Sequence, residues 1–334
     1  MVKNMEFGDI GEVIKYKRVL LEKIQAFLTQ RELKEALRDP HARRPPRPCG
    51  LTVHTGIGCP LQCVYCYIYS MGFKPNFKDY PLSGAQLVYA LVSNENFIPG
   101  PSGTLIALGS VTEPFLPLSK KKTFEYIEFI KKYLGNPVQF STKMSLDHRD
   151  VETLKTLDPE ISPLISVSTL SHQKLLEPLA PPVEKRFETI SLLRLYGFKP
   201  FLFLRPIIPG VTDKEIDEIL EYAAESGAHG VVAGSLRVTR SILDRLTDVG
   251  LDTSEIIRRL KGREKDLKDN VQYTVDTSDI KSLIEKQASK KKLIYLPSAC
   301  MANAFSHNLG CWRMKSLIKS STKHCSGCRN RPRA

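Results

Sequence analysis

Apolar runs and helical stripes alternate through the middle of the chain. The runs Leu51–Thr55, Thr104–Leu108, Val138–Ser141, Leu164–Ser168, Phe201–Leu204 and Gly230–Ala233 have the length of buried strands. Their starts lie 26 to 53 residues apart, which is room for one crossover helix each. Phe124–Tyr133 repeats apolar residues at helical spacing, and Val183–Tyr196 does so through Val183, Phe187, Ile190 and Leu193. Thr212–Ser226 opens with Thr212 and Glu215, the spacing of a capping box. Six such units predict an α/β protein. Its sheet is a parallel barrel or part-barrel, with the functional site at the C-terminal ends of the strands.

The flanks read differently. In residues 1–50, Val13, Tyr16, Leu20, Ile24, Phe27 and Leu28 line one helical stripe, and Arg43-Arg-Pro-Pro-Arg-Pro48 then forms an extended linker. Residues 246–334 read as a separate C-terminal region. It has helices near Ser254–Leu260 and Asp279–Lys290, a short strand at Leu293–Leu296 and a cysteine-rich end. The barrel proper is assigned to residues 51–245.

Composition narrows the class. Of 334 residues, 42% are hydrophobic and 25% charged, a globular balance that excludes disordered, collagenous and fibrous chains. No apolar run approaches the ~18 residues of a membrane span. Met1–Ile10 carries Glu6 and Asp9 and no hydrophobic block, so no secretory signal is visible and a cytoplasmic, reducing compartment is expected. Net charge is +13, and +11 of it falls after Glu285, where no acidic residue remains. A local excess of that size attracts polyanions or forms a solvated basic tail.

The eight cysteines fall into groups rather than into a disulfide framework. Cys59, Cys63 and Cys66 follow the first strand as CxxxCxxC, with Gly56 and Gly58 permitting a tight loop before them. Three closely spaced thiolates can hold three irons of a [4Fe–4S] cube and leave the fourth open. A structural zinc site would want a fourth protein ligand, for which His54 and Cys49 are at hand. Cys300, Cys311, Cys325 and Cys328, separated by ten, thirteen and two residues, can close either a zinc tetrahedron or a second [4Fe–4S] cluster. His307 and His324 are available as substitutes for one cysteine. Cys49 reads as a small core residue beside the linker.

The triad in this position resembles the signature of the radical S-adenosylmethionine superfamily. That resemblance implies a partial (βα)6 barrel with the cluster on its first loop, to which the chain's own pattern adds an N-terminal helical extension and a small Cys-rich C-terminal region. It implies a [4Fe–4S] cluster on Cys59, Cys63 and Cys66 whose open iron binds S-adenosylmethionine. It further implies reductive cleavage to a 5′-deoxyadenosyl radical that abstracts hydrogen, with an electron donor such as ferredoxin or flavodoxin.

Rim residues then acquire candidate roles. Glu113, in Gly109-Ser-Val-Thr-Glu-Pro114, can accept from the methionine ammonium. Lys143 can pair with its carboxylate, and Ser166 and Ser168 with ribose hydroxyls or that carboxylate. Arg205 and Arg237 are placed to bind substrate or to pair with a neighbouring carboxylate.

A narrower likeness lies in Leu176-Glu-Pro-Leu-Ala-Pro-Pro182 with Glu184, Arg186 and Ile190, and in Pro206-Ile-Ile-Pro-Gly210. These resemble the spore photoproduct lyase-like branch. There, the counterpart of Tyr65 lies near the adenosyl ligand and that of Tyr67 belongs to a hydrogen relay. Ser110 takes the place of the lyase's hydrogen-donor cysteine, and no cysteine lies between Cys66 and Cys300. A serine O–H is a far poorer hydrogen-atom donor than a thiol. Thymine-dimer repair by the same relay is therefore not expected, and Tyr65, Tyr67 and Ser110 stand as candidate catalytic residues. The expected substrate is a nucleic acid, tRNA or DNA. The alternatives are a protein or small metabolite, and, outside enzymes, a zinc-stabilised nucleic-acid-binding protein.

Overall fold

The structure is a computed structural model and describes residues 7–47 and 49–309. Seven parallel strands form one open sheet in the order β1-β4-β5-β6-β7-β8-β11. They are β1 (Leu51–Val53), β4 (Ile106–Leu108), β5 (Val138–Thr142), β6 (Ser162–Ser166), β7 (Phe201–Ile207), β8 (Gly230–Ser235) and β11 (Ile294–Leu296). Two antiparallel ribbons stand beside it: β2 (Gly56–Ile57) with β3 (Lys78–Asp79), and β9 (Arg237–Val238) with β10 (Tyr273–Thr274).

Helices make every crossover. They are α3 (Gly84–Ser93), α4 (Lys120–Phe129), α5 (His148–Leu157), the short α6 (Gln173–Leu176) with α7 (Val183–Leu195), and α8 (Thr212–Glu225). The last crossover is longer, with α9 (Arg240–Asp248), α10 (Ser254–Arg259) and α11 (Ser278–Lys290). Before the sheet stand α1 (Ile10–Gln25) and α2 (Gln30–Arg38); after it, α12 (Ala299–Ser306).

Caps account for several helix starts. Ser83 with Gln86, Asp147 with Asp150 and Thr29 with Glu32 each form a reciprocal capping box. The predicted box at Thr212 does not form. Thr212 instead donates to the Ser168 carbonyl at 2.7 Å, and Glu215 reaches the loop after β6, accepting from Leu170 N at 2.7 Å and Thr169 Oγ1 at 2.7 Å. With the amide and hydroxyl of Ser171, four donors on a neighbouring loop outcompete one local amide. The α1 stripe is real in part: Val13, Leu20 and Ile24 are buried, but Phe27 is 63% exposed. Lys17 ties α1 to the end of α3 through Asn94 O at 2.6 Å and Phe97 O at 3.0 Å.

Each strand splits its side chains between two layers. Ile106, Leu108, Val138, Phe140, Ile165, Leu202 and Val231 face the helices and form the main core. The opposite positions face the concave side. Near its floor these are Leu164, Phe201, Val232 and Leu296, packed around Ala302 of α12. Helix α12 therefore plugs the inside of the part-barrel, and Asn303 bonds Ile106 O at 3.3 Å and Pro137 O at 3.4 Å across it. The region expected to be a separate C-terminal module thus supplies both the seventh strand and the floor. Among the described residues no helix is long and apolar enough to cross a membrane.

Candidate active site

Towards the rim the concave positions turn polar. Register alignment puts Thr52, Ala107, Gln139, Ser141, Ser166 and Phe203 on this face, and alternation carries it on to Gly109, Lys143, Ser168 and Arg205. Four residues predicted from strand ends therefore share one wall-lined space above the α12 floor.

The cysteine loop leaves β1 at this rim. Gly58 holds φ +85°, and a Cβ there would lie 2.3 Å from the Asn76 carbonyl oxygen; at Gly56 it would lie 2.2 Å from the Phe77 ring. Both glycines are needed for the loop to pass the β2–β3 ribbon. Backbone bonds then fix the loop: Cys66 N to Cys63 O at 2.9 Å and Val64 N to Leu176 O at 2.9 Å. Two side chains reach its carbonyls, Arg245 to Cys66 O at 2.8 Å and Tyr69 to Cys59 O at 3.1 Å. Leu61, Cys63, Val64 and Tyr65 also join a second apolar core with α9 and α10.

The three thiols suit an iron–sulfur cube by their donor chemistry. Burial pushes Cys63 up to about 12 and Cys59 up to about 11, and Lys143 pulls both down. Metal charge displaces such protons on binding. Three thiols on one loop can each bind a separate iron of a cube and leave the fourth iron open. His54 is packed against His41 and Tyr80, with Nδ1 3.5 Å from Ser110 Oγ.

Lys143, at the end of β5, stands over the Tyr65 ring at 5.6 Å and 3.9 Å from Glu177 Oε1. Burial alone would lower its pKa, but Glu177 and Cys63 outweigh burial and raise it, so Lys143 is a cation here. Tyr65 donates a short hydrogen bond to Glu177 and lies 3.4 Å from Ser168 Oγ. Burial and Glu177 hold the Tyr65 phenol well above its ordinary range. Glu177 in turn pairs with fully buried Arg186 at 2.5 Å, and Arg186 bonds Ser166 O at 3.0 Å and Pro181 O at 2.8 Å. The loop motif around Leu176–Pro182 is thus a buried polar network behind the site. Glu177 carries no sequence signal of that role, since its partners are 112 and 9 residues away.

Tyr67 donates to the Ser110 carbonyl at 2.9 Å, which joins two of the candidate catalytic residues. Glu113 is buried and largely satisfied by its own chain: Thr142 Oγ1 and Phe115 N donate to Oε1, and Lys143 N donates to Oε2 at 3.0 Å. A carboxylate accepts about four bonds, so one position on Oε2 is left for a ligand. Cys300, on α12, bonds Ser298 Oγ at 3.1 Å and lies within hydrogen-bonding reach of Cys49; that contact, then burial, raises its pKa. The sequence reading of Cys49 as a small core residue is corrected here: Cys49 is exposed and adjoins Cys300. His307 turns to Asn303 O at 2.9 Å. Cys311, Cys325, Cys328 and His324 lie outside the described residues.

The profile of the Radical SAM superfamily matches residues 53–223, just over half of the chain. An uncharacterized protein of Methanocaldococcus jannaschii is 28% identical over 187 residues, covering 52% of this chain and 68% of that protein. Among solved structures, a spore photoproduct lyase variant with bound AdoMet and dinucleoside spore photoproduct superposes with a TM-score of 0.59. It is 16% identical and covers 84% of this chain and 92% of its own. A spore photoproduct lyase complexed with dinucleoside spore photoproduct gives 0.54 at 18% identity, covering 71% of each chain. At these identities the structural likeness is one of fold.

Proposed function

Because the chain belongs to the radical SAM superfamily, we propose that it is an enzyme that uses Cys59, Cys63 and Cys66 to hold a [4Fe–4S] cluster beside bound S-adenosylmethionine. The observation that carries this is the shared concave face: the three-thiol loop leaves β1 at the rim where Lys143, Ser166 and Ser168 emerge from β5 and β6. When bound, the reduced cluster supplies the electron that cleaves S-adenosylmethionine to a 5′-deoxyadenosyl radical.

The chain's own groups bind and orient. Cationic Lys143 pairs with the methionine carboxylate, and the free position on Glu113 accepts from its ammonium. Ser166 and Ser168 offer hydroxyls to the ribose. Tyr65, held by Glu177, walls the adenosyl side. Tyr67, bonded to the Ser110 carbonyl, faces the substrate. The α12 floor and the second core keep water from below. A cleft of about 300 Å³ lined by Gln62, Cys63, Tyr69 and Arg245 gives a reductant such as ferredoxin or flavodoxin an approach to the loop's outer side.

The substrate we favour is a nucleic acid. The +11 stretch after Glu285 and the lyase-like loops support it, as does the fold shared with a lyase solved with a dinucleoside photoproduct. Cys300 with Cys311, Cys325 and Cys328 would hold an auxiliary cluster or zinc, with Cys49 close by. The test is anaerobic reconstitution. Iron, sulfide and zinc are counted per chain, the reduced cluster is read by paramagnetic resonance, and 5′-deoxyadenosine is measured after dithionite. A yield that survives replacement of Cys59, Cys63 and Cys66 by alanine would falsify this reading.

A further inference from the structure

Three cations lie near the ends of β7 and β8, and among the described residues none has an acidic partner. Arg205 ends the concave row Phe201, Phe203, Arg205 of β7, its guanidinium 5.8 Å over the Phe203 ring. Room for it is made by Gly234 on β8, where a Cβ would lie 2.6 Å from Arg205 Cδ and 2.9 Å from Cγ. Arg237 follows on the β9–β10 ribbon, opposite Thr274. Lys281 lies one turn into α11, whose start is bound to the end of β8 by Ser235 Oγ and Thr277 Oγ1 at 2.7 Å.

Among the described residues, no carboxylate and no hydrogen-bond acceptor engages the side chain of Arg205, Arg237 or Lys281. The contrast with nearby Arg259 is direct, since it pairs with Glu255 at 2.7 Å and Asp279 at 2.6 Å. Asp276, the acid that Lys281 feels, is already bound to Lys261 at 2.7 Å. Burial and Arg237 lower the pKa of Arg205; burial and Arg205 lower that of Lys281. Arg205 and Arg237 are exposed and Lys281 is half-buried; like charges so gathered raise the free energy of the empty site, and an anion among them relieves that cost. Burial raises the Tyr67 pKa, and the charges of Arg205, Arg237 and Arg47 act against that rise, so Tyr67 lies within their electrostatic reach.

We propose that Arg205, Arg237 and Lys281 form a phosphate subsite that seats a backbone phosphodiester of the substrate beside Tyr67. The identification of that phosphate with a nucleic acid rests on the substrate reading above; the anion site itself rests on the three unpaired cations. Arginine forks suit the oxygens of a phosphate, and a phosphate bound there would hold the adjoining sugar and base over the concave face.

The test uses the full chain with two probes. Inorganic pyrophosphate is titrated calorimetrically, and a short fluorescein-labelled oligothymidylate is followed by anisotropy from low to high salt. Arg205→Gln and Arg237→Gln together should weaken both probes by about tenfold or more. The salt slope for the oligonucleotide should flatten by about 0.7 per cation removed. Arg31→Gln, on exposed α2, should change neither. Arg205→Lys keeps the charge and checks that a loss is not unfolding. Unchanged pyrophosphate affinity and an unchanged salt slope in the glutamine variants, with 5′-deoxyadenosine production intact, overturn the subsite and leave the enzyme reading standing. Pyrophosphate binding that the variants lose, without oligonucleotide binding by the wild type, keeps the subsite and overturns the nucleic-acid substrate. Equal competition by polyglutamate overturns the preference for phosphate.

Discussion

Glu177 meets Arg186 at 2.5 Å with both side chains almost wholly out of water, 1% and 0% exposed. A carboxylate and a guanidinium so placed are mutually obligatory, because either alone is an uncompensated buried charge. The pair also sets the front of the site, since Glu177 accepts from Tyr65 and stands 3.9 Å from Lys143.

Arg186→Leu is accordingly expected to cost about 3–5 kcal/mol, read as a fall in thermal midpoint and denaturant midpoint. Replacing both partners, Glu177→Met with Arg186→Leu, should recover most of that loss. The double variant should still bind S-adenosylmethionine more weakly, because Tyr65 and Lys143 lose their anchor. Normal ligand affinity in a stably folded double variant would show that the pair is only a core feature.

Gly58→Ala addresses the loop. The added Cβ would meet a backbone carbonyl at 2.3 Å in a left-handed conformation. Relief requires the loop to move, at a cost of about 2 kcal/mol or more. The expected result is an iron content well below wild type after reconstitution, with circular dichroism unchanged. Full iron loading would mean that the loop geometry is not needed for the cluster.

The thiols should act as a set. Single alanine substitutions at Cys59, Cys63 or Cys66 are each expected to remove most cluster absorbance and 5′-deoxyadenosine formation. Cys300→Ala should leave that activity largely in place and change only the total metal count. Equal loss from both groups would argue for one shared centre.

Stability should fall in mild acid. Burial, with His41 and Arg44 nearby, lowers the His54 pKa from 6.5 to about 4 against a weaker pull from Asp39. The unfolded chain therefore binds the His54 proton near pH 6.5 while the folded chain resists it until about 4. Between those values the unfolded state carries more protons, so stability is full above the window and declines as pH drops through it. The size is on the order of 3 kcal/mol. Denaturation at a series of pH values checks it, and His54→Asn should flatten this part of the profile.

Much of the scaffold is legible in the chain. The six middle strands begin within two residues of the apolar runs, because a buried parallel strand needs both faces apolar and shows it locally. The CxxxCxxC spacing and the strand-end Lys143 are local signals too. What stays illegible is set by distant partners. Ile294–Leu296 looks like a lone short strand until β8 offers it an edge. Ala299–Ser306 lacks a polar face because it lies inside the barrel, so no amphipathic period marks it. Glu215 has the spacing of a cap but is claimed by another loop. Glu177 and Arg186 stand in the lyase-like motif, but their pairing behind Tyr65 is made only by the fold.

Helix α12 gives the part-barrel a closed bottom. With the bottom stopped, a molecule seated on that floor is capped by one that settles above it at the rim, so the order in which two ligands arrive matters.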